Sequence, residues 1–232
     1  GVCAGYSTTM LPIPKMTLHF SGGGGAGGAG IAAALKATGR EDIPVLAFGG
    51  DGSVSDISFA QVSACAQRND NMIFFCMDNE AYMNTGNQKS TLTPWGAATT
   101  TSPAGHVEWK KDLPMIMAMH RPPYVATVSP AFPQDFKAKV KKALGMKGYR
   151  YIHVLAPCPT GWGSDPAKSV GLARDAVRTG LFPLYEVENG KLKFTYEPKE
   201  RIPIKEYTSL QRRFRHLDDS EIDKLQEQIE ER

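Results

Sequence analysis

Residues 43–52 read IPVLAFGGDG, an apolar run that passes directly into a Gly-Asp-Gly turn. The apolar run lacks a clean two-residue alternation, which is typical of a strand buried on both faces. A helical pattern, ISFAQVSACAQ at residues 57–67, follows the turn. The turn therefore joins a buried strand to a helix, which is where open α/β sheets bind ligands.

The same alternation of strand-like and helical runs continues along the chain. Further strand-like runs are residues 71–78, 123–129 and 149–157, and further helical runs are residues 113–120, 132–144 and 165–180. This order predicts an α/β fold in which a parallel twisted sheet is flanked by helices.

The texture of the sequence changes after Gly180. Asn189 and Gly190 separate two strand-like runs and predict a short hairpin, and the chain finishes on a charged helical pattern. We therefore expect one α/β domain over residues 1–180. Residues 181–232 are expected to form a C-terminal hairpin and a helical tail that dock on this domain or on a partner.

A glycine-rich tract, SGGGGAGGAG at residues 21–30, leads into a compact helical pattern that stops at Gly39. Two interpretations stay open for it. The composition is typical of a mobile loop, but glycines that lead into a helix also allow the backbone to approach another surface closely.

Composition and charge exclude several classes of protein. The net charge is +3 over 232 residues and the basic residues are scattered, so we expect no nucleic-acid partner. No apolar stretch reaches the roughly 18 residues of a membrane span, and the start lacks the features of a signal peptide, so a cytoplasmic location is expected. Because the chain begins at Gly1 rather than Met, we expect an upstream segment to be missing.

The Gly-Asp-Gly turn itself has a chemical meaning. Gly50 and Gly52 let a bulky anion approach the backbone, and the following helix offers free N–H groups to a phosphate. Asp51 would repel that phosphate unless a metal ion lay between them. The turn therefore predicts a metal-bridged phosphate site.

A second polar segment starts at Asn79, 28 residues after Asp51, where a strand-like run ends in NEAYMNTGNQKS. Adjacent parallel strands would bring Asp51 and Asn79 side by side. A carboxylate, an amide oxygen and a nearby main-chain carbonyl are the hard donors that Mg²⁺ prefers, and they leave room for two diphosphate oxygens and a water.

With this spacing, GDGSVSDISF and MDNEAYMNTGNQKSTLTPWGAATTTSPAG resemble the β subunits of 2-oxoacid:ferredoxin oxidoreductases, which bind thiamine diphosphate. The segments LAPCPTGW, PLYEVENGK and RFRHL extend the resemblance over nearly the whole chain. It implies that Asp51, the side chain of Asn79 and the main-chain carbonyl of Ala81 hold Mg²⁺. It places Asn84 beside the reactive thiazolium as a catalytic residue, and Thr85 belongs to the same cofactor-binding loop.

The resemblance also implies a [4Fe-4S] cluster held by four cysteines, of which Cys3 and Cys158 match two. The N-terminal CxxC pair of the family is absent from this sequence, so either it lies upstream or the cluster is lost or ligated differently. Cys65 and Cys76 fall in apolar runs and are predicted to be small buried hydrophobes.

The activity implied by the resemblance is pyruvate-synthase-like oxidative decarboxylation of a 2-oxoacid in anaerobic metabolism. Pyruvate is the leading substrate, coenzyme A takes the acyl group, and electrons pass through the cluster to ferredoxin. An α subunit completes the active site with its own glutamate, and γ and ferredoxin-like δ subunits complete a heteromultimer. Glu80 is therefore predicted to order its own loop rather than to act on the cofactor.

Other functions stay open at this point. One is action on another 2-oxoacid, such as oxalate, phenylglyoxylate, a branched-chain acid or 2-oxoglutarate. A second is a non-redox thiamine-diphosphate decarboxylase or carboligase, and a third is a non-catalytic interaction subunit. The sequence leaves the substrate, the final electron acceptor and the subunit stoichiometry open.

The remaining polar residues are given no catalytic role. His19, His120 and His153 are predicted to be structural, while His106 and His216 are expected to lie in polar surroundings and could touch a partner. The basic stretch QRRFRH at residues 211–216 is expected to be a solvated or partner-facing patch.

Overall fold

A computed structural model describes residues 23–231 of the chain. Six strands form a single sheet in the order β1-β2-β4-β3-β5-β6. The strands are β1 Leu46–Gly50, β2 Met72–Asp78, β3 Tyr124–Val128, β4 Tyr149–Leu155, β5 Leu184–Glu188 and β6 Lys191–Tyr196. The first four pair in parallel, β5 runs antiparallel to β3, and β6 runs antiparallel to β5.

Helices cover the sheet on both faces, which confirms the predicted fold class. They are α1 Gly23–Ala37, α2 Phe59–Arg68, α3 Leu113–Met119, α4 Pro133–Leu144, α5 Pro159–Trp162, α6 Ser169–Arg178, α7 Ile204–Thr208 and α8 Asp219–Glu230. A π-helical turn, Ser53–Ile57, and two 3₁₀ turns, Pro166–Lys168 and Arg212–Phe214, lie between them. Among residues 23–231, none of the helices combines the length and apolar character that crossing a membrane requires.

The central strands are mostly apolar because both of their faces are buried. Successive residues of a strand point to opposite faces, and the core divides accordingly. Phe74 packs in the cluster beneath α1, α2 and α3, whereas Ile73 and Phe75 pack in the cluster beneath α4. Every residue of β3 and β4 is buried.

The predicted hairpin forms between β5 and β6. Asn189 and Gly190 both have positive φ, 49° and 79°, as a two-residue type I′ turn requires. The tail then packs on the same molecule: Ile222 and Ile229 of α8 and Tyr207 of α7 lie in one buried cluster with residues of α6. A capping box between Asp218 and Glu221 begins α8.

The glycine-rich tract is helical from Gly23 onward, so the mobile-loop interpretation is wrong for the described part of it. A Cβ at Gly24 would lie 2.9 Å from the main-chain oxygen of Phe48, and one at Gly28 would lie 2.8 Å from Met72 Sδ. Glycine is a weak helix former, but here its lack of a side chain lets α1 lie directly against β1 and β2. The interpretation as close backbone approach is confirmed.

Two alanine substitutions in α1 should have opposite effects. Gly28→Ala overpacks a buried contact and is expected to lower stability by about 1–3 kcal/mol. Gly30→Ala places its methyl group in open space, so the higher helix propensity of alanine should raise stability by about 0.5–1 kcal/mol. Thermal unfolding of both variants measures the two changes in stability. Equal changes would contradict the close packing of α1 on β1 and β2.

Candidate cofactor and metal site

The candidate site lies at the carboxyl ends of β1 and β2. These strands pair in parallel, with Gly50 opposite Met77. Asp51 and Asn79 each follow their strand directly, and both are buried. The predicted proximity of these two residues is confirmed.

Three polar groups converge at this point. One terminal atom of the Asn79 amide lies 2.7 Å from the main-chain oxygen of Ala81 and 3.1 Å from Asp51 Oδ1. If that atom is the nitrogen, it donates two hydrogen bonds. If it is the oxygen, three oxygens face one another, and octahedral Mg²⁺ at about 2.1 Å from each ligand spaces neighbouring oxygens about 3.0 Å apart. The donor set therefore fits a small divalent cation.

The electrostatics of Asp51 also favour a cation. Ser90 Oγ donates a hydrogen bond of 2.8 Å to Asp51 Oδ2. Even so, burial and repulsion from Asp78 hold the pKa of Asp51 well above its usual range. A bound metal ion is the largest local charge in such a site, and it would favour the carboxylate form.

Position 52 requires glycine because an aromatic ring occupies the space that a side chain would fill. The backbone conformation itself is ordinary. Its φ is −65°, and a Cβ there would lie 2.5 Å from the ring of Tyr82. The Tyr82 hydroxyl donates hydrogen bonds of 2.9 Å to the Gly52 carbonyl and 3.0 Å to Asp56 Oδ2. This clamp fixes the segment after Asp51 against the loop that carries Asn79.

Asn84 and Thr85 lie in the exposed turn of that loop. Thr85 Oγ1 donates a 3.3 Å hydrogen bond to the Tyr82 carbonyl and contacts Gln88 Oε1. Within the described part of the chain, the side chain of Asn84 has no hydrogen-bond partner. Its amide is thus available to a ligand or a partner chain.

A buried ionic network, which sequence reasoning missed, lies beside the site. Lys110 Nζ lies 2.7 Å from Asp78 Oδ2 and 2.8 Å from Glu80 Oε1. Arg213 Nη2 lies 2.6 Å from Glu80 Oε2. Burial alone would lower the pKa of Lys110, but Asp78 and Glu80 outweigh it and raise that pKa, so the ammonium stays charged.

The network settles the role of Glu80. Both of its carboxylate oxygens are in ion pairs, and its main-chain N–H donates a 2.9 Å hydrogen bond to Asp78 Oδ1. The prediction that Glu80 orders its own loop is confirmed. No spacing in the sequence could have found its partner, because Arg213 is 133 residues away along the chain.

The prediction that residues 211–216 form a solvated or partner-facing patch is wrong in part. Gln211 and Arg213 are buried, whereas Arg212, Arg215 and His216 are exposed. The turn directs Arg213 inward because the buried carboxylate of Glu80 needs a counter-ion.

The histidines divide into two groups. His153 and His120 make side-chain hydrogen bonds within the protein, which confirms their structural interpretation. His106 is buried, but a polar neighbour lies beside it, with Nδ1 3.1 Å from Glu108 Oε2, and burial lowers its pKa. His216 is exposed, and His19 lies outside the described residues.

The structure describes three of the four cysteines. Cys65 and Cys76 are buried in the core, as predicted. Cys158 is half-buried immediately before α5, whereas Cys3 lies outside the described residues. Among residues 23–231, no cluster of three or more His, Cys, Asp or Glu side chains is placed to hold a metal.

Helix α5, which follows Cys158, packs on the loop that carries Asn79. A Cβ at Gly161 would overlap the sulfur of Met83. Trp162 Nε1 donates a 2.9 Å hydrogen bond to the main-chain oxygen of Asn79. The segment of Cys158 and the candidate metal site therefore share a rigid contact.

Comparison with known proteins assigns the fold. A family model described as thiamine pyrophosphate enzyme, C-terminal TPP binding domain, matches residues 2–154, which include both halves of the site. The 2-oxoglutarate:ferredoxin oxidoreductase from Magnetococcus marinus superimposes with a TM-score of 0.52 and 24% identity, over 65% of this chain and 58% of that one. At this identity the likeness concerns the fold alone.

Two curated relatives are closer in sequence. Pyruvate synthase subunit PorB of Methanothermobacter thermautotrophicus is 47% identical over 97% of this chain and 80% of that protein. Ketoisovalerate oxidoreductase subunit VorB of Pyrococcus furiosus is 43% identical over 86% of this chain and 68% of that protein. This chain therefore belongs to the thiamine pyrophosphate enzymes, in the family that contains the PorB and VorB subunits of 2-oxoacid oxidoreductases, which confirms the resemblance noted in its sequence.

Proposed function

We propose that this chain is the β subunit of a pyruvate-synthase-like 2-oxoacid:ferredoxin oxidoreductase and holds Mg²⁺ and thiamine diphosphate at the ends of β1 and β2. The observation that carries the proposal is the convergence of Asp51 Oδ1, the Asn79 amide and the Ala81 carbonyl on one point. When bound, thiamine diphosphate supplies the nucleophilic carbon and the electron sink for decarboxylation, while the protein positions it.

The protein residues have distinct roles in this proposal. Asp51, Asn79 and Ala81 hold Mg²⁺, whose charge offsets that of the diphosphate. Gly50 and Gly52 add no side chain on either side of Asp51, and the Tyr82 ring packs directly against Gly52. Thr85 braces the cofactor loop through its bond to the Tyr82 carbonyl. Asn84, which is exposed and unpaired within the described residues, lies in the same loop and would contact the reacting end of the bound cofactor.

The active site is proposed to be completed by an α subunit. Glu80 is the only carboxylate between Asn79 and Ser90. Both of its oxygens are already in ion pairs. We infer that the carboxylate needed at the aminopyrimidine ring comes from the α subunit, as in the family that the sequence resembles, and that γ and ferredoxin-like δ subunits complete the complex.

Cys3 and Cys158 are proposed as two of the four ligands of a [4Fe-4S] cluster that passes electrons to ferredoxin. The position of Cys158 supports this, because the helix after it packs on the loop that carries Asn79. A cluster held there would lie near the cofactor, as one-electron transfer over a short path needs.

The substrate experiment uses the complex purified without oxygen. We expect coenzyme A-dependent reduction of ferredoxin with pyruvate at a higher kcat/KM than with ketoisovalerate or 2-oxoglutarate. A higher value with ketoisovalerate would favour the second candidate, a branched-chain enzyme, which the similarity to VorB supports. No reduction with any 2-oxoacid would refute the redox function.

Asn84→Ala should lower kcat on the order of 10²-fold, because one polar contact to the reacting groups is lost. Bound thiamine diphosphate should stay unchanged, since the Asn84 side chain forms no hydrogen bond with residues 23–231 that would hold the loop. Steady-state rates and a thiamine assay measure the two effects. Gln134→Ala, an exposed amide on α4, is the matched control and should behave like the parent.

A further inference from the structure

Glu80 sits between two proposed metal ligands, Asn79 and Ala81, and has an unusual backbone. Its φ is 72°, in the left-handed region that non-glycine residues rarely adopt. Such a conformation persists only where the surroundings hold it. Here the surroundings are the contacts of the buried carboxylate.

Each oxygen of that carboxylate contacts a different cation. Oε1 lies 2.8 Å from Lys110 Nζ and Oε2 lies 2.6 Å from Arg213 Nη2. The side chain of Glu80 is 2% exposed and that of Arg213 is 4% exposed. Both side chains are shielded from water, so removal of Arg213 leaves one oxygen of a buried carboxylate without its ion-pair partner.

Arg213 is itself held rigidly. Its guanidinium lies 4.3 Å above the ring of Trp162, and its Nε donates a 2.9 Å hydrogen bond to Gln211 Oε1. Its main-chain oxygen accepts a 2.8 Å hydrogen bond from Ala98 N–H. These contacts hold Arg213 in place independently of its ion pair with Glu80.

Arg213 also reaches Asn79 by a second route. Trp162, on which the guanidinium stacks, donates its indole N–H to the main-chain oxygen of Asn79 at 2.9 Å. Arg213 therefore contributes to holding two consecutive residues of the loop. It pairs directly with Glu80, and it stacks on the Trp162 ring that is hydrogen-bonded to Asn79.

We propose that Arg213 is a positioning residue of the metal site. Through Glu80 and Trp162 it fixes the loop so that Asn79 and Ala81 converge on Asp51. The inference rests on the proposed function for its metal ion. It adds that the C-terminal segment, which is remote in sequence from the site, sets the affinity of the site for a divalent cation.

The test compares Mn²⁺ binding by four versions of the complex in saturating thiamine diphosphate: the parent, Arg213→Met, Arg213→Lys and Arg215→Met. Electron paramagnetic resonance counts free Mn²⁺ and gives the Kd. We expect Arg213→Met to raise the Kd at least tenfold and Arg213→Lys, which keeps the charge, to raise it less. Arg215, in the same turn but exposed, is the control and should change the Kd less than twofold.

A Kd for Arg213→Met within twofold of the parent would overturn the positioning role. If Arg213→Met does not assemble, Glu80→Gln decides the question by the same titration, because it keeps the shape of the side chain and removes the charge. An unchanged Kd in that variant would also overturn the role. If the parent itself binds no Mn²⁺, the proposed function fails first, so the two failures are distinguishable.

Discussion

Asp51→Asn is expected to abolish the Mg²⁺-dependent binding of thiamine diphosphate. The carboxylate is the only negative charge among the three proposed ligands, and its partner groups, the Asn79 amide and the Ala81 carbonyl, are neutral. A metal ion contributes several kcal/mol to binding and catalysis, so kcat/KM should fall ~10³-fold or more. Isothermal titration with Mg²⁺ and thiamine diphosphate, together with rate measurements, shows both effects.

The same substitution should not destabilise the metal-free protein. Burial and Asp78 hold the pKa of Asp51 above its ordinary value in the folded state. Folding therefore takes up a proton between the ordinary and the raised pKa, and Asp51 makes the metal-free protein less stable as pH rises through that window. Asparagine does not titrate, so the substitution removes this loss of stability.

The raised pKa of Asp51 also affects metal binding. The Mg²⁺ affinity of the parent should fall as the pH falls toward that pKa, because protonation removes the carboxylate that binds the metal.

Thermal unfolding with and without the cofactor separates the two consequences. The parent should gain stability from Mg²⁺ and thiamine diphosphate, as any ligand of the folded state provides. Asp51→Asn should start at an equal or higher unfolding temperature and gain nothing. Asp42→Asn, an exposed carboxylate, should behave like the parent. A cofactor-dependent gain retained in Asp51→Asn would contradict the assigned metal ligand.

Cys158→Ser is expected to remove the proposed cluster while leaving the thiamine diphosphate bound. Loss of a thiolate ligand should reduce the iron content by roughly four atoms per copy of this chain and abolish ferredoxin reduction. The cofactor should stay because Cys158 is not a ligand of the metal site. Iron and thiamine assays on the anaerobic complex measure both quantities.

Cys65→Ala is the matched control for that substitution. Cys65 lies on the buried face of α2, so its replacement should leave the iron content unchanged. If Cys158→Ser kept the full iron content and reduced ferredoxin normally, the assignment of Cys158 as a cluster ligand would be wrong.

The sequence predicts the sheet and the centre of the site well, for physical reasons. The strands β1 to β4 are mostly apolar on both faces because helices cover both, and this separates them from the amphipathic helices. Asp51 and Asn79 are recognisable because each follows a strand directly, and parallel neighbours place their ends together. Chain order alone therefore implies their proximity.

Other features depend on contacts that chain order does not reveal. The helix that begins at Gly23 exists because glycines fit against β1 and β2, so composition alone suggests a loop. The pairing of Arg213 with Glu80 joins residues 133 apart, and a basic stretch looks solvated until its buried partner is known. Tyr82 packing on Gly52 is likewise a contact across strands rather than a pattern along the chain.

Cofactor analysis of the complex purified without oxygen tests the proposed function most directly. We expect one thiamine diphosphate and one Mg²⁺ per copy of this chain, with iron and visible absorbance from an iron–sulfur cluster. Thiamine diphosphate without iron would contradict the redox function and point to a non-redox decarboxylase or carboligase. A folded complex that contains its partner subunit but neither thiamine diphosphate nor iron would contradict both the proposed cofactor site and the proposed redox function.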